Sequence, residues 1–161
     1  MPAVSRIEEI RNEITEIAQA VPSAQQFMRA MVKLLHERML KYNWVGFYML
    51  EPGARPPMLV LGEFKGAMTP HTRIPLNQGI CGAAASSGQT VVVDDVSKDP
   101  RYLACSLETK SEIVVPIFVR GTVVGELDVD SHFAAAFTAE HQDLVEYCAS
   151  LVGKKLESHG E

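Results

Sequence analysis

SEIVVPIFVRGTVVGELDVDS, residues 111–131, reads as two β-strands folded back about a tight Arg120-Gly121 turn. Downstream, Phe137-Thr138 opens a helix running to about residue 156, with Thr138 as its cap and Leu144, Val145, Cys148 and Leu151 on its apolar face. Upstream, Asp94–Lys110 reads as a long loop, TVVVDDV (90–96) as a buried strand ending in acids, GICGAAASSG (79–88) as a short helix packed through alanines, and Pro70–Gly79 as loop. WVGFYML (44–50) and MLVLGEF (58–64) are two β-rich runs about the turn-prone stretch Glu51–Pro57, an antiparallel hairpin. Near the start, Ile7, Ile10, Ile14 and Ile17 repeat at helical spacing behind a capping box of Ser5 and Glu8. Pro22 interrupts that helix, Ser23 recaps, and Phe27, Met31, Leu34, Leu35 and Met39 carry a second one as far as Lys41. Hairpin-joined strands with helices at both ends predict an α+β fold, an antiparallel sheet with N- and C-terminal helices packed on it. The expected layout is one domain across 1–161, with helices at about 5–41, the sheet at about 43–131 and a last helix at about 138–156.

Composition narrows the function. At 161 residues the chain suits one core. Its 47% hydrophobic and 22% charged residues are those of an ordinary globular protein, which argues against disorder or fibre. A net charge of −5 lacks the basic footprint of a nucleic-acid partner. No apolar stretch is long enough to span a bilayer, and Met1–Glu16 holds Arg6, Glu8, Glu9, Arg11 and Glu13 where a signal peptide would need an apolar run. Three cysteines, an odd number, speak against a closed disulfide framework and for a reducing, cytoplasmic setting.

No Gly-rich phosphate loop, zinc-ligand spacing or nucleophile-elbow serine is present, so any chemistry comes from dispersed residues. Asp128 and Asp130 are two apart, so on a continuing strand both carboxylates face one side; if the strand has already ended, both are solvated or capping. Pattern alone favours the solvated reading. Glu112 stands at a strand start. Cys105 falls in a polar loop, where a thiol is accessible, although free cysteines more often serve as small buried hydrophobes. Cys81, beside Gly79 and Gly82, falls where a helix begins and a dipole lowers a thiol pKa, with packing as its other reading. Cys148 is core filler. Trp44 and Tyr48 share one strand face and either fill the core or box a small ligand.

Taken in order, Asn43–Tyr48, Phe64-Lys65-Gly66, Arg73-Ile74-Pro75, Gly79–Gly82, Ala104-Cys105, Ser111–Pro116 and Leu127–Ser131 resemble the free methionine-(R)-sulfoxide reductase family of GAF domains, and so does the spacing of Cys81 and Cys105. The resemblance covers about residues 40 to 150. It implies a GAF-like sheet and a pocket where Trp44 and Tyr48 wall the thioether end of free methionine sulfoxide while Glu112, Asp128 and Asp130 face its amino group and sulfoxide oxygen. It further implies that Cys105 attacks the sulfur, that one acid supplies a proton, and that a second cysteine resolves the sulfenic acid into a disulfide reduced by thioredoxin or another thiol, with no bound cofactor or metal. Where the family carries a further cysteine before its Arg-Ile-Pro segment this chain has His71, which leaves Cys81 or an external thiol to resolve. The competing reading is a non-catalytic GAF module that binds or senses a small molecule. The apolar terminal helices point to a homodimer.

Overall fold

The computed structural model describes residues 5–103 and 108–158. Helix α1 (Arg6–Ala20) starts where the Ser5 hydroxyl accepts the Glu8 N–H at 3.1 Å. Val21 is extended ahead of Pro22, so α1 ends there. Ser23 then accepts from the Gln26 N–H to cap α2 (Ala24–Arg38). That helix stops at Arg38 and does not continue to Lys41: Met39 is extended, and Tyr42 turns inward to place its hydroxyl 2.7 Å from His141 Nδ1. Burying the large Tyr42 ring outweighs one more helical turn.

Strands β1 (Trp44–Leu50) and β2 (Met58–Lys65) form the expected hairpin. The stretch expected to be loop, 70–79, contains a short strand β3 (Arg73–Pro75) that pairs with β2 at the sheet edge, where a proline costs no ladder bond. Helix α3 (Gly79–Ser87) and strand β4 (Val91–Val93) follow, and the long loop from Asp94 holds one 3-10 turn, Val96–Lys98. Strands β5 (Ser111–Val119) and β6 (Thr122–Ser131) meet at Arg120 and Gly121, both at positive φ (51° and 78°), the turn whose twist matches a two-residue hairpin. Helix α4 spans Ala139–Ser158.

The sheet order is β3-β2-β1-β6-β5-β4, antiparallel throughout, so β6 lies between the first hairpin and its own partner β5. Side-chain alternation then gives β1, β5 and β6 two unlike faces. Val45, Phe47, Ile113, Val115, Ile117, Leu127 and Val129 point to one side and join residues of α1, α2 and α4, among them Ile14, Phe27, Leu144 and Cys148, in a continuous apolar core. A Cβ on Gly153 would run into the Phe118 carbonyl, so this glycine lets α4 settle directly on β5. The opposite face is covered by α3 through Ile80, Cys81, Ala84 and Ala85. Helices therefore lie on both sides of the sheet, the terminal ones on one face and α3 on the other. Among the described residues no helix is long and apolar enough to cross a membrane.

Candidate active site

Residues 126, 128 and 130 of β6 point to the α3 side of the sheet, and all three are acids. Strand β6 runs through Ser131, so the solvated reading of Asp128 and Asp130 is overturned: the ladder continues past both. Glu112 joins from β5, paired with Asp130, while Asp128 lies opposite Val114. All four are buried, with Glu126 0%, Asp130 1%, Asp128 4% and Glu112 5% exposed. Four acids in so little water do not all ionise. Burial, then the Asp128 carboxylate, pushes Glu112 well above the ordinary glutamate range; burial, then Asp130, does the same to Asp128; burial raises Glu126. Carboxyl groups here keep protons at a pH where exposed ones have lost them, which suits them to donate one.

Cys81 is the third residue of α3, and its thiol donates to Asp128 Oδ2 at 3.4 Å. The helix start does not make it a thiolate. Burial, then Asp128, Glu126 and Glu112, hold its pKa well above that of a free cysteine, because each carboxylate opposes a second negative charge. Cys81 Sγ and one oxygen each from Glu112 and Asp128 lie within 4.8 Å of one another, near enough to share protons or a cation. Cys148, by contrast, is sealed in the helix-side core, where burial pushes its thiol up to about 12.

The aromatic wall comes from β1. Trp44 and Tyr48 stack with ring centres 6.2 Å apart, Trp44 also stacks on Phe64 at 5.7 Å, and a Cβ on the intervening Gly46 would collide with the indole. Both polar tips are anchored: Trp44 Nε1–H donates to the Ala67 carbonyl at 3.0 Å and the Tyr48 hydroxyl to that of His71 at 2.7 Å. Cross-strand register sets Trp44 opposite Asp130 and Tyr48 opposite Glu126. A cavity of about 20 Å³ lies among Tyr48, His71, Cys81, Leu103, Glu112 and Asp128, and one of about 80 Å³ among Trp44, Thr69, Thr109, Asp130 and His132. Both fall far below the ~300 Å³ of a small-ligand site, so a ligand of that size would have to part these side chains.

The family model for the GAF domain matches residues 23–156. The chain belongs to the GAF domain family. Among curated proteins this GAF domain is similar to the free methionine-R-sulfoxide reductase of Escherichia coli, 39% identical over 109 residues, which cover 68% of this chain and 63% of that protein. It is likewise similar to the free methionine-R-sulfoxide reductase of Saccharomyces cerevisiae, 39% identical over 113 residues, 70% of this chain and 62% of the relative. The chain thus spans less than two thirds of the length of these two relatives. Among solved structures, the free methionine-R-sulfoxide reductase of Neisseria meningitidis in complex with its substrate superposes with a TM-score of 0.89 at 31% identity, covering 100% of this chain and 97% of that one.

Within the GAF domain, Trp44, Tyr48, Cys81, Glu112, Asp128 and Asp130 all reach one face of the sheet. Cys105 lies outside the described residues, and with it the Cys81–Cys105 pairing. His71 lines the smaller cavity. Glu126 was missed. Its signal was the same two-residue period that marks Asp128 and Asp130, extended one step back along GELDVDS.

Proposed function

We propose that this GAF domain, taken as one unit across 1–161, reduces free L-methionine-(R)-sulfoxide to methionine. The observation that carries the reading is the buried row Glu112, Asp128 and Asp130 facing the Trp44–Tyr48 stack, in a chain alike over its full length to a substrate-bound reductase. An ammonium is the ligand group that relieves crowded carboxylates, and an aromatic wall suits a methyl thioether. Asp128 and Asp130 then hold the amino group, while Trp44 and Tyr48 hold the apolar end.

In the proposed reaction Cys105 attacks the sulfoxide sulfur as its thiolate while Glu112 protonates the sulfoxide oxygen; the hydroxyl then passes to the Cys105 sulfur as the new S–S bond breaks and methionine leaves with its sulfur reduced, and the proton given up by the Cys105 thiol returns to Glu112. The product on the protein is a Cys105 sulfenic acid. Cys81 attacks that sulfur, giving up its proton to Asp128, to which it already donates; hydroxide leaves and is protonated to water, and the two cysteines are joined. A dithiol of the thioredoxin kind returns both to thiols, and no bound cofactor takes part. The setting is the reducing cytoplasm, and a homodimer is the proposed assembly.

The test is methionine release from the reduced protein given the free substrate and a dithiol. Steady release is expected, with none from the N-acetylated, C-amidated substrate, which lacks the ammonium. Cys105→Ser should fall to the buffer rate even in one turnover. Cys81→Ser should release about one methionine per chain and then stop under thioredoxin recycling. No release from the unmodified protein with any thiol would leave the small-molecule-binding reading of this GAF domain.

A further inference from the structure

Among the described residues four large apolar side chains stay exposed, and three of them, Leu40 (87%), Met68 (80%) and Phe133 (50%), lie at one end of the sheet. Strand pairing fixes that placement. Trp44 opens β1 opposite Asp130, Lys65 closes β2 opposite Val45, and Ser111 opens β5 opposite Ser131, the last residue of β6. The chain on either side of these strand ends carries Leu40, Met68 and Phe133, whereas Phe118, the fourth, stands by the Arg120-Gly121 turn at the opposite end. One exposed apolar residue is ordinary; three of four gathered at the end that holds Trp44, Glu112 and Asp130 point to a surface that is covered in use.

The three segments are tied to the site and to one another. The Trp44 indole N–H donates to the carbonyl of Ala67, beside Met68. The His132 backbone N–H, beside Phe133, donates to Asn43 Oδ1 at 2.7 Å, and the Lys41 ammonium, beside Leu40, lies 5.4 Å from the centre of the Phe133 ring. The cavity of about 80 Å³ next to Trp44 and Asp130 lies between the segment of Met68 and that of His132. This apolar rim has a basic edge in a chain of net charge −5. Of the acids at this end, Asp95, Asp99 and Glu108 lie against Lys98, Arg101 and His132, and Asp94 is outnumbered by the exposed Lys41, Lys65 and Lys110.

We propose that Leu40, Met68 and Phe133 form the docking surface for the protein dithiol that returns this domain's cysteines to thiols, a partner whose reactive cysteine stands in an apolar surface edged by acids. The partner's role rests on the reductase reading, in which two electrons come from outside at every turnover. Cys81 is only 6% exposed, so a sulfur carried on a protein reaches it when that protein is seated closely against the mouth of the site. One partner thiolate attacks a sulfur of the Cys81–Cys105 bond, the second partner sulfur displaces the mixed disulfide, and the partner leaves as a disulfide while its two protons end on Cys81 and Cys105. A small dithiol performs the same exchange without a surface to hold it. A second copy of this chain fits the rim less well, because a self-complementary contact sets the basic edge against itself.

Methionine release measured with two reductants, dithiothreitol and thioredoxin recycled by its reductase and NADPH, tests the surface. The double substitution Leu40→Ser with Phe133→Ser should raise the KM for thioredoxin at least about tenfold and leave the dithiothreitol rate within about twofold of the parent. The parent's KM for thioredoxin should rise with added salt, and Lys41→Glu with Lys65→Glu should raise it at low salt and flatten that dependence. Phe118→Ser, at the far end of the sheet, should change neither rate, and near-UV circular dichroism checks that each variant keeps its fold. A thioredoxin KM unmoved by the double serine substitution, an equal loss with both reductants, or parent turnover with dithiothreitol and none with thioredoxin would each overturn the surface. So would a parent dimer that the double serine substitution dissociates, since that assigns the face to a second copy. No methionine from the parent with either reductant would instead remove the reductase reading, and the partner's role with it.

Discussion

The two faces of β1, β5 and β6 are built from the same three strands and do opposite things. Toward the terminal helices the residues are Val45, Phe47, Ile113, Val115, Ile117, Leu127 and Val129, all apolar and buried. Toward α3 the same strands present Trp44, Tyr48, Glu112, Glu126, Asp128 and Asp130, buried nearly as deeply. Burial stabilises the first set, at about 1.5–3 kcal/mol for each large side chain. It penalises the acids of the second set unless they hold protons or meet a cation. A residue step of one along a strand therefore separates the part of the molecule that makes it fold from the part fitted to act on a ligand, and the first has to carry the cost of the second.

Substitutions on each face break or sharpen that contrast. The largest effect is expected on the acid face and in rate: Glu112→Gln should lower single-turnover methionine release by about 10²–10⁴-fold while urea unfolding stays within about 1 kcal/mol of the parent or improves. A changed KM with an intact single-turnover rate would remove Glu112 from the proton-donor role. On the helix face Phe47→Ala should do the reverse, lowering the unfolding free energy by about 3–5 kcal/mol with little change in the m-value, and a loss under about 1 kcal/mol would mean that this face is not where stability resides.

The smallest effect is a pH dependence. Burial raises the folded Glu126 carboxyl well above its ordinary value of 4.5. A group raised in this way contributes stability that is complete below its unfolded pKa and is lost as pH climbs through its folded pKa. Glu126→Gln removes that titration, so its Tm should gain on the parent as pH rises above about 4.5, the ordinary carboxyl value. A Tm difference that is flat with pH would mean Glu126 keeps the same charge in both states.

Much of this was legible in the chain. The Ser5 and Ser23 caps, the Pro22 break and the Arg120-Gly121 turn are local, and each lies where the residues place it. The shared face of Trp44 with Tyr48, and of Asp128 with Asp130, follows from the two-residue period of a strand. Other features were hidden. Strand β3 is three residues with a proline, formed only because the edge of β2 is there to pair with. The α2 end at Arg38 depends on a pocket for Tyr42 that α4 helps to build through His141.

The sequence by itself determined the antiparallel α+β class, the helix starts and which residues can share a face, because capping and side-chain alternation act over a few neighbouring residues. Only the tertiary structure decided that β6 enters between β1 and β5, setting Asp130 opposite both Trp44 and Glu112, and that α3 lies across the acids with its third residue, Cys81, against Asp128. Those relations join residues tens of positions apart. They rest on register and on the docking of apolar surfaces, which no local pattern encodes, and they turn four dispersed acids and one thiol into a single buried cluster whose protonation is set by its own crowding.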